Sequence, residues 1–143
     1  MAGEDLREGE EFVSPSRTLT DAHFLFFSGL TYDNHPVHYD VEYAKRTPFG
    51  RPLAHGLLLM ALTALGGSPA SSKLDGLIFV EQGCRFVKPA MVGDTLTPRH
   101  RIERIWSEGP RRFCRVATTI VNQRGEVVLE GFHLYRIRPR ERA

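Results

Sequence analysis

The chain has 143 residues, 41% hydrophobic and 25% charged, with a formal net charge of +2. That suits one soluble domain with a single core, and no apolar run reaches the roughly 18 residues of a membrane-spanning helix. Basic residues without aromatic interleaving or a groove-reading motif argue against a nucleic-acid partner. Two distant cysteines, Cys84 and Cys114, without metal-ligand spacing argue against a zinc site and read as reduced core residues.

Residues 1–15 read as an irregular lead-in. It is acidic and lacks the apolar stretch of a signal peptide, which favours a cytoplasmic location. A single domain is expected over 16–138, followed by a basic tail at 139–143. Residues 16–19 form a short extended piece. Thr20 is a good helix cap, with Asp21 in the first turn. The following helix, 22–29, carries Phe24, Leu25, Phe26 and Phe27, which predicts burial on several sides, and Gly29 is its expected stop. A polar loop, Thr31-Tyr32-Asp33-Asn34-His35-Pro36-Val37-His38-Tyr39-Asp40, comes next. Pro36 fixes its own backbone and pushes His35 away from helical geometry, so Asp33 and His38 are held at a set separation. Asp40 caps a second short helix over 41–46. Residues 53–65 then form the strongest helical segment. Apolar on every side, it predicts a buried central helix.

From residue 76 the pattern changes to strands, expected over 77–89, 95–106, 112–122 and 126–137. Short turn-type breaks between them predict antiparallel neighbours. One apolar helix needs a curved sheet to wrap it, so the fold class is α+β, with an antiparallel sheet around a central helix. Its exposed edges and apolar surface predict a homodimer.

At this point the chain resembles a known family. Asp33-Asn34-His35-Pro36-Val37-His38 resembles the hydratase motif of the MaoC-like, or (R)-specific enoyl-CoA hydratase, family. Ala54-His55-Gly56 resembles that family's opening of the central helix. Phe86-Val87-Lys88-Pro89 with Val92-Gly93-Asp94-Thr95-Leu96 resembles its strand-and-turn pair. The resemblance spans residues 16–137 and implies a hot-dog fold. Two positions depart from the pattern: Asn is usual at His35, and Gly is common at Tyr32. The His-Pro form of the loop is similar to that of the mesaconyl-CoA and itaconyl-CoA hydratase branch, whose substrates carry an extra carboxylate.

The resemblance implies a hydro-lyase that adds water to a 2-enoyl thioester, with (R) stereochemistry, or removes it. Asp33 and His38 are the catalytic pair holding one water. The backbone N–H of Gly56 is the oxyanion donor, at an unpaired helix start with no Cβ to block approach. Tyr32, His35, Pro36 and His55 shape the site. His35 either fixes the catalytic geometry as a donor, binds a carboxylate on the acyl group, or points outward. Coenzyme A enters only as part of the substrate. With no Gly-rich phosphate loop, its phosphates fall to Lys45, Arg46, Arg51 and Lys88. No metal or other cofactor is implied. The late arginines form a solvated face or attract an anionic substrate. His23, His100 and His133 are read as structural or solvent-facing. The competing readings are a hot-dog thioesterase and a non-catalytic thioester-binding partner subunit.

Overall fold

The structure, a computed structural model, describes residues 6–139. Most of the expected basic tail therefore lies outside the described residues. The elements in chain order are β1 (Glu11–Val13), β2 (Arg17–Thr18), α1 (Asp21–Thr31), α2 (Val41–Lys45), α3 (Gly56–Ala61), β3 (Leu77–Phe86), β4 (Thr95–Glu108), β5 (Arg111–Val121) and β6 (Val127–Ile137). The sheet runs β1-β4-β5-β6-β3, every pairing antiparallel, and β2 also pairs with β4. The long strands alternate with period two. Cys114, Val116, Thr118 and Ile120 of β5 face inward and are buried, as the pleat requires. Leu58 and Leu59 of α3 meet Leu96, Ile120, Val128 and Leu129 on the inner face, with Phe24 of α1 closing the same cluster. A curved antiparallel sheet around one short apolar helix is the hot-dog arrangement.

Several expectations are corrected. The lead-in is not irregular throughout: residues 11–13 form β1, with Glu11 opposite Arg101 and Val13 opposite Arg99. The turn before β4 does not join neighbours, because β3 pairs with β6 at the far side of the sheet.

The central helix is six residues long instead of thirteen. At its front, the Leu53 N–H donates to the Val37 carbonyl and the Ala54 N–H to the Ala90 carbonyl (3.0 and 2.8 Å), in extended geometry. At its back, the Thr63 hydroxyl and N–H both donate to the Met60 carbonyl (2.6 and 3.1 Å), and this local alternative ends the α-helix. Leu57 on α3 is exposed, so the helix is not buried on all sides.

Helix α1 is likewise buried on one face only. Phe24 and Ser28 point inward, while Leu25, Leu30 and Phe26 (80% exposed) do not. It passes through Gly29 to Thr31 because the Thr31 hydroxyl donates to the Phe27 carbonyl and the Tyr32 N–H to the Ser28 carbonyl (2.7 and 2.8 Å).

Gly131 of β6 lies opposite Cys84 of β3. A Cβ at Gly131 would stand 2.1 Å from the Gly83 carbonyl oxygen and 2.8 Å from the Cys84 Cα. Both obstacles are backbone, so the strands must separate. Gly131→Ala is expected to destabilise the fold by about 3 kcal/mol, the upper end for overpacking, as measured by urea unfolding. A loss below about 0.5 kcal/mol would show that the pairing is looser than described.

Candidate functional site

The loop that carries Asp33 and His38 is assembled from α1, the turn after it and the segment before α3. Tyr32 ends α1 in the left-handed region (φ 62°), which turns the chain so that Asp33 leaves the helix. Pro36 opens a single 3₁₀ turn over Pro36–His38, and Asp40 caps α2 through the Tyr43 N–H (2.9 Å). The Leu53 backbone grips the loop twice. Its N–H donates to the Val37 carbonyl (3.0 Å), and its carbonyl accepts from His38 Nδ1–H (2.7 Å). Because a carbonyl only accepts, Nδ1 carries a proton, so it is Nε2 that bears the lone pair whenever the His38 ring is neutral. That lone pair faces the Asp33 carboxylate at 3.9 Å. The separation exceeds a direct hydrogen bond, and one water can bond to both groups. His38 is nearly buried, while half of the Asp33 side chain is exposed, so the gap opens to the surface on the carboxylate side.

His55, 1% exposed, stands behind the pair. Its ring stacks on His38 at 3.7 Å between centroids and 19° between planes. Its Nε2–H donates to the Asp33 carbonyl (3.3 Å) and is shared with the Ser28 hydroxyl (2.9 Å). Burial first, and the neighbouring His38 second, push its pKa below the ordinary histidine value, so it stays neutral.

Asp33, His38 and His55 each offer a ligand atom within 4.8 Å of one another, yet they do not suit a metal. Stacked rings carry their in-plane lone pairs side by side, and His38 Nδ1 and His55 Nε2 already donate to carbonyls. A tetrahedral ion needs lone pairs that converge.

His35 is exposed, and its Nδ1 accepts from the Val37 N–H (3.2 Å). The role expected of a donor is thus filled by an acceptor: the imidazole nitrogen does what an Asn side-chain oxygen does at such a turn. Its ring also meets Tyr43 edge-on at 5.6 Å.

Gly56 opens α3, where its N–H has no partner within the helix. A helix of six residues has little macrodipole, so what this position offers is that N–H and room for close approach. The Phe86 ring lies 3.4 Å from where a Cβ would be. Gly56, Phe86 and Lys88 border one cavity of about 310 Å³ with Phe49, Leu53 and Pro89.

The four expected phosphate ligands are already engaged within the chain. Lys45 pairs with Glu42 (2.7 Å), Arg46 lies over the Tyr43 ring (5.6 Å), Arg51 reaches Asp94 (3.5 Å) and Lys88 pairs with Glu126. Of the four, Lys88 borders the Gly56 cavity.

Ser28 is the residue that sequence reasoning missed. Its signal was present: it lies four residues after Phe24, on the buried face of α1, and a buried hydroxyl needs a partner. His23 proves to be a cap, its Nδ1 accepting from the Thr20 N–H (2.9 Å).

Tyr32 is 85% exposed at a positive φ, a region that costs a non-glycine residue about 1–2 kcal/mol. Tyr32→Gly is expected to gain about 1 kcal/mol, or about 2–4 °C in melting temperature, by scanning calorimetry. A lower melting temperature would mean that the ring makes contacts which outweigh the strain.

The fold and this loop define a MaoC-like hot-dog protein. A family model for the MaoC like domain matches residues 5–124, and the chain belongs to that family. An (R)-specific enoyl-CoA hydratase of Rhodospirillum rubrum is 32% identical over 129 residues, covering 90% of this chain and 85% of that one. A 3-hydroxybutyryl-CoA dehydratase of Methylorubrum extorquens is 30% identical over 141 residues, covering 98% and 86%. The solved structure of an (R)-hydratase from Aeromonas caviae superposes with a TM-score of 0.83 at 28% identity, covering 95% of this chain and 99% of that one.

Proposed function

We propose that the protein is a hydro-lyase that adds water to a 2-enoyl-CoA, and removes it in reverse, through one water shared by Asp33 and His38. The carrying observation is the 3.9 Å gap between the Asp33 carboxylate and the lone-pair nitrogen of His38. The names of the related hydratases and dehydratase support the substrate class.

Hydration moves two groups: hydroxide to the β-carbon and a proton to the α-carbon. The Asp33–His38 pair takes a proton from the shared water and returns one to the α-carbon, so the site ends as it began. The pair acts as a unit, and the division of labour belongs to the pair. Charge that develops on the thioester oxygen is met by the Gly56 N–H. (R) stereochemistry follows the relatives.

The test follows loss of the conjugated thioester absorbance with crotonyl-CoA and mesaconyl-CoA. Turnover of crotonyl-CoA is the expected result, and turnover of mesaconyl-CoA would assign a second carboxylate to the substrate. No turnover of either refutes hydration. Release of free CoA thiol without hydration would make the protein a thioesterase.

A homodimer is part of this reading. Strand β3 closes one end of the sheet, and Ile78, Phe79, Val80 and Phe86 along it are exposed. A long apolar edge of this kind is covered in a stable protein, and a second β3 covers it with the same residues. Light scattering is expected to give twice 16.2 kDa, and Val80→Lys to shift the mass toward one chain. A single-chain mass for the unmodified protein excludes the dimer.

A further inference from the structure

We propose that Ser28 is a positioning residue for the catalytic pair, acting through His55; the inference rests on the hydratase reading above. His55 touches both reacting groups: Asp33 through its backbone carbonyl and His38 through its ring face. What holds His55 is therefore what fixes the gap between them.

Helix α1 supplies most of that hold. Phe24 meets the His55 ring edge-on at 6.1 Å, and Phe27 lies tilted against it at 4.9 Å. These contacts fix the plane of the ring. His55 Nδ1 is buried without a hydrogen-bond partner, so the ring's hydrogen bonds all run through Nε2. Nε2 has two partners, the Ser28 hydroxyl at 2.9 Å and the Asp33 carbonyl at 3.3 Å. The Asp33 carbonyl belongs to the loop that is being positioned and cannot serve as its own reference. Ser28 is the fixed point: it lies inside an eleven-residue helix and is 4% exposed.

The order of dependence is thus Ser28 to His55 to the Asp33 backbone, with His38 stacked alongside. Loss of the hydroxyl leaves His55 tied only to the loop. The shared water then samples a wider gap, and misplacement on the scale of 1 Å costs rate steeply. Ser28 touches neither the Gly56 donor nor the basic side chains assigned to coenzyme A, so the loss falls on kcat and spares KM.

The experiment compares Ser28→Val with Ser28→Thr, which match in shape and differ in the hydroxyl. With crotonyl-CoA, the Val variant is expected to lose about 10-fold in kcat with KM within about 2-fold, and the Thr variant to stay within about 2-fold on both. Ser28→Ala removes the hydroxyl without adding a methyl and should follow the Val variant; an Ala variant at the wild-type rate would assign the Val loss to the added methyl and overturn the proposal. Equal losses in the Val and Thr variants would assign the effect to volume, and a rise in KM at constant kcat would assign it to binding; either overturns the proposal. Imidazole nitrogen NMR supplies a readout that needs no turnover. His55 should show one tautomer, protonated at Nε2, in the wild type and in the Thr and Val variants, because the Asp33 carbonyl still accepts from it; its Nε2 resonance should match between the wild type and the Thr variant and be shifted or broadened in the Val variant. An Nε2 resonance unchanged in the Val variant also overturns it. A wild-type protein silent on every enoyl thioester refutes the hydratase reading through the assay, while the NMR comparison still decides whether Ser28 sets His55.

Discussion

Asp33→Asn is expected to lower kcat/KM for crotonyl-CoA by about 10²- to 10⁴-fold, the range lost when a positioned acid or base is removed. The change keeps the shape of the side chain and removes its charge and proton affinity. Half of that side chain is exposed, so unfolding free energy should move by less than about 0.5 kcal/mol. His38→Gln should reach a similar loss of activity, with a moderate cost in stability because His38 is buried and donates to the Leu53 carbonyl. The double variant is the sharper measurement. Two groups that hold one water act as a unit, so removing both should cost about as much as removing either. Losses that multiply would mean that Asp33 and His38 act in separate steps, and the shared water would have to be abandoned.

Much of the site was legible because it lies in one stretch of chain. Pro36 and Asp40 are local features, and a turn and a cap follow from them directly. The strands were legible for the same reason, since alternation in 111–121 needs no knowledge of the partner strand. Partners themselves were not legible. Nothing local in Leu77–Phe86 says that it lies against β6 instead of β4, because sheet order is set by how the whole chain closes over α3. The length of α3 failed for a related reason. Leu53 and Ala54 are good helix formers, yet their N–H groups bond to Val37 and Ala90, residues distant in sequence. The Leu53 bond also ties the Asp33–His38 loop to the start of α3, an arrangement that needs the helix to be short. The outer face of α1 was misread as core because a run of four large apolar residues does not say which side of the helix meets the sheet.

The buried histidines yield the other large effect, an acid-sensitive stability. His100 of β4 and His133 of β6 lie 6.4 Å apart between ring centroids, both buried on the inner face of the sheet. The groups that face them are uncharged. The Thr63 hydroxyl donates to Met60 and so accepts from His133 Nε2–H (2.8 Å), while the Tyr135 hydroxyl donates to His133 Nδ1 (3.0 Å). Ser14 lies 3.5 Å from His100 Nε2, and His100 Nδ1 has no hydrogen-bond partner. Burial pushes both pKa values down to about 4, with His133 adding to the effect on His100. An unfolded histidine titrates near 6.5. Between those values the unfolded chain binds protons that the folded chain refuses. Stability is therefore full above about pH 6.5 and falls as pH drops toward 4, by about 3 kcal/mol for each histidine. His55, shifted in the same direction, adds to the loss. Carboxylates titrate mainly below this window, so urea unfolding between pH 5 and 7 isolates the histidines. The slope should approach about 1.4 kcal/mol per pH unit for each of them. His133→Gln keeps a hydrogen-bonding amide near Thr63 and should remove one proton from that slope; adding His100→Gln should remove a second. A slope unchanged in the double variant would mean that these two rings take up protons in the folded state, which their uncharged surroundings are built to prevent.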